Sequence, residues 1–430
     1  MSHTLCSDAF VSGLDPDQVA AEMLPGMPGI RRLLPLLRHH VDRARREVSA
    51  SVAGLFESRA VYRPGMGCTL VYPGEADAAA APPPAPWSDT APRLGDIVGP
   101  AVVESADERL RRALDRAFAD PPDGPAQGTI AVVVVHDDRI VAERYAPGYG
   151  IDTPLLGWSM TKSLMNALVG ILVRQGRLSL TGPAPVPAWR DPGDPRHAIT
   201  IEQLMRMTSG LALDDTNNGF DPSSRMLYTQ PDMAAYAEHF TLVAQPGRRY
   251  HYSNLSTLIL SRIVRDAVGG RAEDVVRFAD RELFGPLGMR GVTLEFDAAD
   301  TPVGSTYGYA TARDWARFGL LYLHDGVVGG ARILPEGWVD WSARWTPRSR
   351  EGYGAGFFTN RGASEGGILR IRGGMPPDAF FASGTQGQRL VIAPFARLVV
   401  VRLGRTADWG AFDKRAITRL VTEAKAVLAP

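Results

Sequence analysis

Lysine is almost missing from this chain: among 47 lysine and arginine residues, the lysines are Lys162, Lys414 and Lys425 alone. Arginine cannot replace lysine where a neutral amine is needed, because a guanidinium is never deprotonated in proteins. Cysteine is scarcer still, with Cys6 and Cys68 the only two. That excludes a disulfide-rich scaffold and a four-cysteine metal site. The pair could be one cross-link or two buried thiols, and isolated cysteines are so often buried that free thiols are the expectation. The eight histidines contain no His-Glu-x-x-His spacing, so no metal site is expected. Net charge is zero, 47 basic against 47 acidic residues, which argues against a general nucleic-acid or anionic-membrane surface. No apolar run reaches the ~18 residues that span a bilayer. The start, Met1 to Asp8, is too polar for the core of a secretory signal. The expectation is therefore a soluble, cytoplasmic protein.

What is present is ordinary globular composition, 45% hydrophobic and 22% charged over 430 residues. A composition break over 76–100, with Pro82, Pro83, Pro84 and Pro86, reads as a stiff connector. Residues 1–95 are accordingly an N-terminal extension with connector, packed on a main domain at 96–430. In the extension the pattern predicts a helix over 29–40 and strands over 48–55 and 68–72. Leu110, Ala113, Leu114, Ala117 and Phe118 follow amphipathic helical spacing over 107–119. Runs at 129–135 and 139–145 flank a short polar turn and predict a hairpin. Thr200 with Gln203, and Thr311 with Asp314, are capping-box signatures that open two helices. Strand-like runs at 389–393 and 398–403 precede a final helix over 413–428. Strands early and late, with helices between, predict an α+β fold. Its antiparallel sheet would be built from both chain ends, flanked by helices, with a mostly helical subdomain inserted at about 180–300.

The chemistry centres on Ser159-Met160-Thr161-Lys162. An apolar helix is predicted over 159–175, stopped by Gly176. On a helix, i and i+3 share a face, so the Lys162 amine can sit beside the Ser159 hydroxyl and activate it as a nucleophile. A capping serine and a lysine stem laid along a helix would give the same letters. Two further clusters weigh against that bland reading. Tyr252 and Asn254 follow Pro246-Gly247, placing a phenol and an amide on one side of an extended or turning segment. Gly384-Thr385-Gln386-Gly387-Gln388 leads into a strand, where a backbone N–H could line a cleft. Gly157-Trp158-Ser159-Met160-Thr161 lacks the second glycine of a Gly-x-Ser-x-Gly elbow, which counts against that alternative serine hydrolase architecture.

Together these motifs resemble the serine β-lactamase and penicillin-binding-protein superfamily, and within it the class C-like branch of 6-aminohexanoate-dimer hydrolases and family VIII carboxylesterases. Leu204 to Leu211, Leu283 to Met289 and Ala310 to Gly319 add to the likeness. The resemblance implies a β-lactamase/transpeptidase-like fold and an acyl-enzyme on Ser159, with Lys162 and Tyr252 moving protons and Asn254 fixing the Lys162 ammonium. It implies an oxyanion hole from the backbone N–H groups of Ser159 and Gln388, with Gly387 shaping the turn. No cofactor is needed, and the partner is a small ester or amide.

One departure stands out. The third motif of the superfamily usually begins with a Lys or His that holds a substrate carboxylate, and here Thr385-Gln386-Gly387 carries no charge. The expectation is a preference for esters or small linear amides over β-lactams and D-Ala-D-Ala peptides, unless Arg389 or Arg372 supplies the charge. Trp158 and Trp409 are candidate pocket walls. The remaining rivals are a β-lactamase or D-Ala-D-Ala peptidase, and a non-catalytic scaffold on the same fold.

Overall fold

The computed structural model describes residues 1–24, 33–72, 93–121, 126–212, 219–406 and 414–429. The proline-rich stretch, the polar, acidic stretch Asp214–Asn218 that follows the Leu204–Leu211 run, and Trp409 lie outside the described residues.

The extension opens with two helices, α1 (Ser2–Phe10) and α2 (Pro16–Met23), the latter capped by the Asp15 carboxylate. Four strands follow, β1 (Leu37–Asp42), β2 (Glu47–Val52), β3 (Leu55–Arg63) and β4 (Gly67–Val71), as one antiparallel sheet in sequence order. The helix expected over 29–40 is therefore corrected. Leu34–Leu36 is a single 3₁₀ turn and β1 begins at Leu37. Pro35 removes a backbone donor and ends any α-helix there, while alternate residues of β1 lie half-buried and exposed, the period of a strand.

The expected thiols are also corrected: Cys6 of α1 and Cys68 of β4 form a disulfide. It sits among buried polar groups. Ser7 Oγ and the Cys68 N–H each donate to Glu295 Oε1 at 2.7 Å, and His3 stacks on Tyr307 with ring centroids 4.2 Å apart. The extension is thereby joined to the main body by a cluster from both.

In the main body, helix α3 (Glu108–Phe118) precedes strands β5 (Thr129–His136) and β6 (Arg139–Tyr145). Strands β7 (Phe358–Thr359), β8 (Phe380–Gly384), β9 (Gln388–Ala393) and β10 (Leu398–Gly404) come from the other end of the chain. All six form one antiparallel sheet in the order β7-β8-β9-β10-β5-β6. One sheet face, with Val133, Val135, Leu390 and Val399, shares a core with Leu168 and Phe318 of the central helices. The other, with Val132, Val134, Val391 and Val400, packs against Leu110 of α3 and Leu420 near the C-terminus. Each fully buried Leu, Val or Phe contributes about 1.5–3 kcal/mol relative to exposure, so burial on both faces holds the sheet between its two helical layers.

Between these halves lie helices α4 (Thr161–Arg174), α5 (Ile201–Met205), α6 (Pro222–Thr229), α7 (Asn254–Val268) and α8 (Ala312–Leu323), with α9 (Glu365–Arg372) and α10 (Lys414–Leu428) later. Both capping boxes form, at Thr200/Gln203 and Thr311/Asp314. Helix α4 is buried from Thr161 to Leu172 as an interior helix, with its polar residues Lys162, Ser163 and Asn166 each hydrogen-bonded. The fold is the expected α+β architecture.

Candidate active site

The site forms where the head of α4 meets the end of β8. Helix α4 does not begin at Ser159. Trp158–Met160 is a 3₁₀ turn and α4 proper starts at Thr161, so Ser159 and Lys162 straddle the junction. Trp158 has φ of +49°, a left-handed conformation uncommon for a non-glycine residue. Ser159 is half-buried, and its N–H makes no backbone hydrogen bond among the described residues. That N–H lies at the positive end of α4.

Lys162 is 4% exposed. Its Nζ donates to Ser159 Oγ at 3.0 Å, Asn254 Oδ1 at 2.6 Å and the Ser305 carbonyl at 2.9 Å. Three oxygens match the three N–H donors of an ammonium. One face of the Tyr252 ring lies beside the same nitrogen, centroid 4.9 Å away, a cation–π arrangement. Tyr252 and Asn254 are set by a helix start rather than by an extended segment. Ser253 caps α7, accepting from the N–H groups of Leu255 and Ser256. Asn254 is thus the first helical residue, and its Nδ2 donates to Ser223 Oγ on α6 at 2.9 Å. The Tyr252 ring is held by Tyr353, edge-on at 5.5 Å, and by Phe358 at 6.1 Å. Tyr250, also on this aromatic wall, donates its hydroxyl to Glu351 at 3.1 Å; burial, then the Glu351 charge, pushes its pKa up and keeps it protonated.

Two close backbone approaches shape the site. A side chain at Gly356 would come within 2.9 Å of Asn166 Cβ, so glycine lets the 353–358 segment lie against α4. At Gly384 a Cβ would stand 2.2 Å from the Gly157 carbonyl, so the end of β8 abuts the turn carrying Ser159. Gln388 follows on β9, buried, with its amide clamped to β10: Nε2 donates to the Gly404 carbonyl at 2.5 Å and Oε1 accepts from the Gly404 N–H at 2.9 Å. Its side chain is spent on the sheet. Gly387, φ +87°, closes the turn between β8 and β9.

Neither arginine considered as a carboxylate anchor stands beside Ser159. Arg389 shares a strand face with Val391 and Ala393, the face covered by α3 and α10 and opposite α4. It donates to the carbonyls of Gly384 and Gln388, and burial, then Arg370, lowers its pKa to about 10. Arg372 is exposed at the end of α9.

The structure therefore brings Ser159, Lys162, Tyr252 and Asn254 together. Sequence reasoning missed Ser305, Ser223 and the aromatic wall of Tyr353 and Phe358. Ser305 acts through its backbone, which leaves no trace in residue type. Among the described residues no cluster of His, Cys, Asp and Glu could hold a metal ion, and no helix is long and apolar enough to cross a membrane.

Comparison with known proteins places this geometry. Residues 114–424 match the Beta-lactamase family model. The 6-aminohexanoate-dimer hydrolase of Paenarthrobacter ureafaciens is 26% identical over 225 residues, covering 49% of this chain and 56% of that protein. The chain thus spans about half the length of the curated relatives it matches. Among solved structures, a Bacillus anthracis protein provisionally titled 6-aminohexanoate-dimer hydrolase superposes with a TM-score of 0.60 at 22% identity, over 79% of this chain and 88% of its own. A family VIII carboxylesterase gives 0.57 at 17% identity, over 76% of this chain and 100% of its own. At these identities the two structures speak for the fold alone.

Proposed function

This chain belongs to the beta-lactamase family, and from that premise we propose that it is a serine hydrolase cleaving ester or small linear amide bonds through an acyl-enzyme on Ser159. The observation that carries this reading is the 3.0 Å bond between Lys162 Nζ and Ser159 Oγ at the head of a buried helix, with Ser159 itself half-open. A scaffold protein would gain nothing from burying a lysine beside a reachable hydroxyl.

In the proposed reaction Ser159 Oγ attacks the carbonyl carbon as its proton passes to the Lys162–Tyr252 pair. The developing oxyanion is met by the Ser159 N–H and by a backbone N–H of the 384–388 turn, the part assigned to Gly387 and Gln388. The pair returns the proton to the departing alcohol or amine, and water then frees the acyl group by the reverse path. Asn254, tied to both Lys162 and Ser223, holds the amine in place throughout. With no charge in the third motif and Arg389 on the far sheet face, neither the third motif nor the arginines considered for the role offer a substrate carboxylate a fixed cation among the described residues. Turnover of a chromogenic cephalosporin at the rate of a true β-lactamase would refute that preference.

Intact-protein mass after brief exposure to a p-nitrophenyl ester tests the reading. An acyl-sized gain or rapid turnover is expected for the wild type and not for Ser159→Ala, with a loss of about 10⁴-fold or more. The same adduct in both proteins would remove Ser159 from the mechanism.

A further inference from the structure

One side-chain bond ties the turn carrying Ser159 to the hairpin that faces it, and the reaction above leaves it unused. Trp158 donates its indole Nε1–H to Gln386 Oε1 at 3.1 Å. The two residues are 8% and 3% exposed. Indole is a donor only, so the partner atom must be the amide oxygen and the orientation of Gln386 is fixed. Its Nε2 has no hydrogen-bond partner among the described residues.

Both residues have left-handed backbone, φ +49° for Trp158 and +60° for Gln386. Such conformations persist in non-glycine residues only where the surroundings over-determine them. Here the surroundings do so from both sides. The Gln386 carbonyl accepts from the Thr406 N–H at 3.3 Å and from Arg402 at 3.2 Å, anchoring the hairpin turn to the end of β10. Beside the bond, Gly384 lies against the Gly157 carbonyl. Asp8 and Met23 of the N-terminal extension line one small internal cavity with Trp158 and Gln386, so the extension closes the back of the pair.

We propose that Trp158 and Gln386 are positioning residues, whose mutual bond fixes the Ser159 N–H relative to the N–H groups of the 384–388 turn. Touching no substrate, they set the span of the oxyanion hole by joining its two halves. The inference rests on the serine hydrolase reading. It assigns to a Trp–Gln pair what strand pairing alone leaves loose, because Ser159 stands on a turn outside the sheet.

The test is a double-mutant cycle on the acylation rate with p-nitrophenyl butyrate, each variant assayed well below its melting temperature. Trp158→Phe and Gln386→Met should each slow acylation by about 10- to 100-fold, short of the full loss of an oxyanion donor. Substrate affinity should change little. The double variant should be no slower than the slower single one, because both remove the same bond. Should Trp158→Phe fail to fold, Gln386→Met still decides: an acylation slower by about 10- to 100-fold with unchanged substrate affinity supports the pair, and loss through affinity alone overturns it. Single variants within about twofold of the wild type, or losses that multiply in the double variant, also overturn it. Those results would leave wild-type acylation on Ser159 intact. A wild type that takes no acyl group on Ser159 would instead bring down the hydrolase reading and the positioning inference together.

Discussion

Two of the buried polar clusters in this molecule differ in what burial does to them. At the head of α4, Lys162 Nζ is surrounded by Ser159 Oγ, Asn254 Oδ1 and the Ser305 carbonyl. Where the extension meets the main body, Glu295 receives Ser7 Oγ–H and the Cys68 N–H on one oxygen and faces His3 Nε2 at 3.3 Å with the other. Burial raises the Glu295 pKa to about 8 and lowers that of His3 to about 3, favouring the neutral form of each. Shifted ionisation alone would select the second cluster as a catalytic site. Access instead supports the first, the site proposed above. Glu295 is 0% exposed, whereas Ser159 is half-open beside a left-handed tryptophan. A perturbed group with no path to solvent holds structure together, whereas a half-open hydroxyl at the head of a helix can meet a substrate.

Replacing Lys162 should separate the two most sharply. Lys162→Ala should lower ester turnover by about 10³-fold or more, and Lys162→Arg should do no better, because a guanidinium neither releases its proton nor fits three point-like bonds. Glu295→Gln should leave the acylation rate unchanged while the protein stays folded. Steady-state rates on a p-nitrophenyl ester measure all three. A folded Glu295→Gln protein without activity would break the distinction.

The first cluster was legible in part, because each of its two residue pairs is local. Ser159 and Lys162 are three residues apart, Tyr252 and Asn254 two, and the capping boxes at Thr200 and Thr311 mark helix starts by the same short-range logic. The second cluster was not legible. Its members come from residues 3, 7, 68 and 295, and nothing local announces that they meet. The Cys6–Cys68 bond failed to show for the same reason, since spacing says nothing of distance across a fold. Helix α7 was hidden because Ser253 caps it at the residue between two expected site groups. The strand β1 was misread where leucines crowd around Pro35, where period and propensity disagree.

The disulfide gives the next largest effect, on stability rather than rate. Cys6 and Cys68 are 62 residues apart in sequence, and a cross-link closing a loop of that order typically contributes about 2–4 kcal/mol. Cys68→Ser, or reductant with the wild type, should lower the unfolding midpoint in calorimetry. Acylation of Ser159 at 25 °C should persist, since Arg405 still bridges Asp8 at 2.9 Å and Glu22 at 3.2 Å. A bond of this kind endures in an oxidising compartment, so free-thiol labelling of protein taken directly from cells would report where the molecule works. Loss of acylation with the disulfide would mean that the two clusters are one cooperative unit.

The smallest effect tests Glu295 by pH. Its folded pKa of about 8 lies above the ordinary 4.5, so the folded state holds a proton that the unfolded state releases between those values. The stability it contributes is complete below pH 4.5 and lost as pH rises through about 8. Neighbouring groups blur the curve of the whole protein. His3, lowered from 6.5 to about 3, adds stability as pH rises across that span, and the buried Met1 amine, lowered from 8.0 to about 6, does so between pH 6 and 8. Asp297, raised from 3.8 to about 7, works in the same direction as Glu295. Subtracting the stability of Glu295→Gln from that of the wild type isolates the single proton. The difference should be greatest below pH 4.5 and should shrink by about 1.4 kcal/mol per pH unit toward pH 8. Urea unfolding at half-unit pH steps measures it. A difference that grows with pH would mean that Glu295 is charged in the folded protein, drawing its stabilisation from Arg63 or His3, and the contrast between a half-open cluster and a sealed, neutral one would fail.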